Sequence, residues 1–158
     1  MGGDKSSEDY LRDAHKEIEI ADHMAYVTLP MLTDKNLFIS MVEHLYKSVF
    51  YSIMCFLRNE IYYKRLFAMP QSEKEIVDFF LRKYTHQIGI DNETLDMIRR
   101  MTNIGIASGK SFTQFKRSDK IVLLSPSYNV VEIDRDSVKK YLSLQKKFIV
   151  KIKENLKK

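Results

Sequence analysis

Apolar residues early in the chain fall on a seven-residue repeat of Leu11, Ile18, Ala25 and Leu32, with Ala14, Ala21 and Thr28 interleaved. That spacing gathers them on one side of a helix, and the small residues let a neighbour approach closely. Ser7 is the expected N-cap, with Glu8 and Asp9 in the first turn, where the helix dipole favours acids. Residues 1 to 6 read as a flexible polar tail ahead of it. Pro30 has no N–H to donate, so it is expected to kink or end this helix. The TDK stretch at 33 to 35 is expected to cap and restart the chain.

A second, longer helix is predicted over about 36 to 65, antiparallel to the first. Leu37, Met41, Leu45, Val49, Ile53 and Phe56 form its buried stripe. Phe38, Tyr46, Phe50, Tyr51, Met54 and Leu57 place apolar groups on its other sides, and Ser48, Ser52 and Cys55 add a line of small residues. A helix apolar nearly all round is buried on more than one side. Because so long a helix tends to protrude, a homodimer interface is expected on it, made by Tyr46, Phe50, Tyr51, Met54 and Leu57.

Ser72 and Glu75 fit a capping box for a third helix over about 72 to 85, with Ile76, Phe79, Phe80 and Tyr84 as its apolar face. Gly89 is its expected stop. Asp91 caps a fourth helix carrying Leu95, Ile98, Met101, Thr102, Ile104 and Ile106 as far as Gly109. The pattern then changes to two short β-prone runs, 121 to 124 and 130 to 133, separated by a turn-forming stretch at 125 to 129. Asp134 or Asp136 caps a last helix, with Val138, Tyr141, Leu142, Phe148, Ile149, Ile152 and Leu156 on its apolar side. The expected fold is mainly α: one antiparallel bundle of about five helices, with a small β-hairpin before the C-terminal helix.

Composition supports a single domain, 158 residues long with 44% apolar and 30% charged residues. Only 5 Gly and 3 Pro are present, too few for the many turns of a sandwich or barrel. One Cys cannot form an internal disulfide, which points to a reducing, cytoplasmic setting. The polar first ten residues predict no secretory leader. The longest apolar run, 49 to 57, falls far short of the roughly 20 residues a membrane span needs, so no membrane association is expected.

Charge is unevenly placed. The last 24 residues hold nine bases against two acids, a net +7, within a chain whose total is +5. At 100° per residue, Lys139, Lys140, Lys146, Lys147, Lys151, Lys153, Lys157 and Lys158 share an arc of about 160° opposite the apolar face. Upstream, Lys110, Lys116 and Arg117 interleave with Phe112 and Phe115. Lysines neutralise phosphates and exposed rings stack on unpaired bases. The expected nucleic-acid contacts are therefore Lys110, Phe112, Phe115, Lys116, Arg117, Lys139, Lys140, Lys146, Lys147 and Lys151. The partner is RNA or another acidic molecule, and a solvated lysine face is the plain alternative.

Catalytic signals are sparse. His15, Glu19 and His23 recur every four residues and could offer three metal ligands, although neither H-E-x-x-H nor E-x-x-H is present. Asp22, Glu43, His44 and Glu60 fall on the two helices expected to pack together, and His44 lies near the buried stripe, as a core histidine or an acid–base group. No phosphate loop, nucleophile elbow or Cys/His cluster is found, and no cofactor is implied.

The run EIEIADHMAYVTLPMLTDKNLFISMVEHLYKSVFYSIMCFL, followed by two shorter helices and a C-terminal one, resembles the HEPN-like helical-bundle families of prokaryotes, in an archaeal-type form. The resemblance implies a helical bundle and a dimer. Active members are RNases marked by an Arg, four to six residues and a His. Here Arg82 and His86 are separated by only three residues, and no His follows Arg58 at that spacing. No family active site carries over. The expected function is a non-enzymatic dimeric binding protein. The alternatives are a degenerate nuclease, a metal-assisted hydrolase using His15, Glu19 and His23, or a structural interaction module.

Overall fold

In the computed structural model, which describes residues 5–28, 35–108, 113–117, 120–124 and 130–157, the first helix is opened by Ser6 and not by Ser7. Ser6 Oγ accepts from the Asp9 N–H at 3.1 Å, and the Asp9 carboxylate accepts from the Ser6 N–H at 3.1 Å. This reciprocal box satisfies two donors that a helix start otherwise leaves open. Ser7 is otherwise engaged, donating its hydroxyl to the Cys55 carbonyl at 2.8 Å. Lys5 pairs with Asp13 at 2.8 Å and stands over the rings of Tyr10 and Tyr51, so residues 5 and 6 belong to the bundle rather than to a tail. Helix α1 covers Ser7–His23 and widens into a π-helical turn at Met24–Thr28. Pro30, Thr33 and Asp34 lie outside the described residues.

Helix α2, Lys35–Tyr62, is the centre of the bundle. It packs against α1, and also against α3 (Glu73–Ile88), α4 (Asn92–Ser108) and α5 (Arg135–Glu154). Most of its apolar circumference is thus covered by this chain's own helices. Tyr46, Met54 and Leu57, expected at a dimer interface, are buried inside the chain, which leaves only Phe50 and Tyr51 of that set half-exposed. Phe56 sits fully buried where α2, α3 and α5 meet. Its ring meets those of Phe80 at 5.7 Å and Tyr84 at 4.8 Å, both edge-on, and Phe80 in turn meets Phe148 at 6.1 Å.

The small-residue line on α2 is where other helices come closest. Ser48 donates to the Ala14 carbonyl at 2.8 Å, and Ser52 donates to the Ser48 carbonyl at 2.8 Å. Gln145 of α5, fully buried, donates through Nε2 to both serine hydroxyls at 3.0 Å. Its Oε1 has no partner among the described residues. This polar seam ties three helices together inside an apolar interior, where unsatisfied groups are costly.

The helix ends follow local chemistry. Ser72 caps α3 by accepting from the Glu75 N–H at 3.2 Å, and Gly89, at φ 81°, closes it with a left-handed residue. At the end of α2 the Arg65 N–H reaches the Glu60 carbonyl at 2.9 Å and the Lys64 N–H reaches Ile61 at 3.0 Å. That is a Schellman closure, yet its left-handed position is filled by Lys64 at φ 61° instead of glycine.

Asp91 caps α4, with Oδ1 accepting from the Thr94 N–H at 2.7 Å. That backbone bond, then the Thr94 hydroxyl, then the nearby Lys147 and Lys151 hold its carboxyl below its ordinary value of 3.8. Because the folded pKa lies below the unfolded one, the cap's contribution is complete above pH 3.8 and fades as pH falls through the folded value. Asp91→Ala is expected to cost about 1 kcal/mol at pH 7 and less at pH 2. Urea titrations at the two pH values read this difference, and an equal loss at both would remove the charge from the account.

After α4 comes a three-stranded antiparallel meander of β1 (Thr113–Arg117), β2 (Lys120–Leu124) and β3 (Val130–Asp134). The β2–β3 hairpin matches the sequence pattern and pairs Ile121 with Ile133. Strand β1 adds a third strand to the expected hairpin: Phe115, Lys116 and Arg117 pair with Val122, Ile121 and Lys120. TQFKR carries a single large apolar residue, so no alternation announces it as a strand. Asp134 caps α5 by accepting from the Ser137 N–H at 2.7 Å. Among the described residues no helix is long and apolar enough to cross a membrane.

Candidate functional site

Helix α5 divides sharply. Val138, Leu142, Phe148, Ile149 and Ile152 are buried against α2 and its neighbours, while Lys139, Lys140, Lys146, Lys147, Lys151 and Lys153 are exposed on the opposite side. From Lys139 to Lys153 the row is about 21 Å long at 1.5 Å per residue. The N-terminal half of the row is partly neutralised by its neighbours. Lys146 pairs with Asp22 of α1 at 2.7 Å, Lys140 with Glu93 of α4 at 3.5 Å, and the Lys139 ammonium stands 5.5 Å from the centre of the Tyr26 ring.

The C-terminal half is different. Among the described residues, Lys147, Lys151, Lys153 and Lys157 have no carboxylate within the 4.0 Å of an ion pair. Lys147 and Lys151 flank Asp91 closely enough to lower its pKa. With Phe148, Val150, Gly89 and Thr94 they border a hollow of about 360 Å³ between α5 and the α3–α4 junction.

Lys153 and Lys157 face a larger groove, about 850 Å³, where the first turn of α1 meets the ends of α2 and α5. Leu11, Ile61 and Leu156 form its apolar part, and Arg58 adds a third cation. Tyr62 and Tyr63 stand at its side, their rings edge-to-face at 5.0 Å, and the Arg65 guanidinium lies 5.8 Å from the Tyr63 centroid. Tyr62 is 78% exposed. Asn59 fixes the end of α5 here: its Oδ1 accepts from the Lys157 N–H at 2.8 Å and its Nδ2 donates to the Lys157 carbonyl at 3.2 Å. These two bonds fix the backbone at this rim of the groove, so that part of it need not be ordered on binding.

No family model, no curated protein and no solved structure matches this chain.

The other candidates separate. His15, Glu19 and His23 do not converge, and among the described residues no group of three His, Cys, Asp or Glu side chains is placed to hold a metal ion. His44 is paired with Glu17, a residue the sequence did not single out, in a half-buried link between α2 and α1. Burial pushes the Cys55 thiol up, keeping it protonated, away from the thiolate that nucleophilic chemistry needs. Glu60 is buried within 3.8 Å of Arg65. Arg82 and His86 lie one turn apart on the exposed side of α3. Lys110 and Phe112 lie outside the described residues, and Phe115, Lys116 and Arg117 belong to β1.

In the sequence, Tyr62-Tyr63-Lys64-Arg65 reads only as the tail of the second helix. The available signal was two aromatic residues followed by two cations just where the apolar stripe stops, next to a basic C-terminal helix in a folded chain.

Proposed function

We propose that this chain is a non-enzymatic binding protein that takes a polyanion, RNA foremost, along the exposed lysine face of α5. The observation carrying this reading is the C-terminal half of that face: Lys147, Lys151, Lys153 and Lys157 are exposed and none has a carboxylate within ion-pair distance among the described residues, Asp91 acting on Lys147 and Lys151 only from farther off. Lysines paired within the protein must exchange one partner for another, whereas these four neutralise phosphate directly and release its counterions. The first half of the row, engaged with Asp22 and Glu93, contributes less.

The test is fluorescence anisotropy of a labelled single-stranded RNA across a salt series. Binding should weaken as salt rises, with a log–log slope of about −0.7 per neutralised phosphate. Charge reversal at Lys147 and Lys151 should shallow that slope by about 1 to 2 and weaken binding at least tenfold at low salt. Charge reversal at Lys140 and Lys146 should do less. No binding at low salt would overturn the proposal and make α5 a solvated face.

A further inference from the structure

Resting on that polyanion reading, we infer that the groove bounded by Tyr62, Arg58, Lys153 and Lys157 is a stacking site for one unpaired nucleotide, so that single strands are preferred over duplex. Three observations converge on it. The groove, about 850 Å³, combines apolar walls from Leu11 and Leu156 with the exposed Lys153 and Lys157, while Arg58 and the single carboxylate Glu8 also line it. A base has an apolar π-face and a phosphate beside it, and this is the surface that pairs with both. Tyr62 presents a ring that is 78% exposed, at the side of the groove and not in the core. In a duplex the base faces are covered by their neighbours, and only an unpaired base can lay its face on a ring.

The third observation is how the ring is held. Tyr62 ends α2, and the chain turns immediately after it through Lys64 at φ 61°, a conformation that glycine ordinarily supplies. A left-handed non-glycine residue costs free energy and marks a turn dictated by its surroundings. The Schellman bonds from Lys64 and Arg65 fix that turn, and Asn59 holds the Lys157 backbone nearby. The backbone that carries the ring and the backbone that carries Lys157 are therefore set before any ligand arrives.

The chain contains no tryptophan, so Tyr62→Trp installs a single fluorescent reporter at the groove. Titration with a 12-nucleotide RNA of mixed sequence should quench that emission, and the matching duplex should quench it far less. Tyr62→Ala should weaken single-strand binding about tenfold, equivalent to about 1.4 kcal/mol, within the range for a stacked base. It should leave duplex binding unchanged, and Tyr62→Phe should restore the wild-type affinity. Phe67, 88% exposed but outside the groove, is the matched control, and Phe67→Ala should change nothing. If RNA binds by anisotropy with no quenching and no effect of Tyr62→Ala, the stacking site is overturned while the lysine-face reading stands. If neither RNA binds at low salt, both fall. Binding to anionic phospholipid vesicles in place of RNA, lost with Tyr62→Ala, would reassign the groove to a membrane surface and overturn the inference.

Discussion

Phe56→Ala is expected to remove about 3–5 kcal/mol of stability, a large part of the roughly 5–15 kcal/mol that holds a domain together. Phe56 is fully buried, and its edge-on contacts with Phe80 and Tyr84 join α2 to α3, while Phe80 carries the contact on to Phe148 of α5. Removing the ring deletes apolar burial and leaves a void bordered by three helices that cannot close independently. Each aromatic contact also adds about 0.5–1.5 kcal/mol beyond area alone. In a chain of this size the thermal midpoint should fall by about 10 °C, with the urea midpoint moving in parallel. A loss under about 1 kcal/mol would mean that this ring cluster does not organise the core.

Gly105→Ala should also destabilise, against the usual sign for a helix. In the middle of a helix alanine is favoured over glycine by about 1 kcal/mol. At this position in α4, however, an added Cβ would lie 2.2 Å from Tyr46 Cδ2 and Cγ and 2.7 Å from Cδ1. Tyr46 cannot easily withdraw, because the residue is 7% exposed and its hydroxyl is hydrogen-bonded to Glu73. That same burial, reinforced by the Glu73 carboxylate, raises the phenol's pKa well above its ordinary value of 10.0, so it remains a neutral donor. Overpacking should outweigh the propensity gain and leave a net loss of about 2 kcal/mol. In a Tyr46→Leu background the same Gly105→Ala change should become neutral or stabilising. A double-mutant cycle by urea denaturation measures the coupling, and additive effects would show that the two residues do not touch.

How much of this was legible in the sequence depended on whether a signal was local. Helix positions follow from 3.6-residue periodicity, and Ser72, Gly89 and Asp91 are readable because a cap acts within four residues, whereas the choice between Asp134 and Asp136 falls to Asp134 only in the structure. The first cap was misplaced by one because Ser6 and Ser7 look alike locally. What separates them is Cys55, 48 residues away, which takes the Ser7 hydroxyl. The apolar circumference of α2 was plain, but covering it with α1, α3, α4 and α5 is a tertiary fact that periodicity does not carry. The same holds for the candidate site. The lysine row was visible as an arc of one helix, whereas its neutralisation by Asp22 and Glu93 depends on packing. The groove beside Tyr62 is assembled from α1, α2 and α5, and no single segment contains it.

The fasteners between α2 and α5 also set an order of events during synthesis. Gln145 reaches back 97 residues to Ser48 and 93 to Ser52, and Asn59 holds a residue 98 positions further on. At about 5–20 residues per second, roughly 5–20 s pass between the emergence of the two serines and the arrival of their partner. Throughout that interval the flank of α2 that α5 will cover faces water. Ser48 and Ser52 break that flank into short apolar stretches and accept water as readily as the glutamine amide. The hydroxyls that anchor the last helix therefore have water, and not Gln145, as their acceptor-side partner until the end of the chain is made.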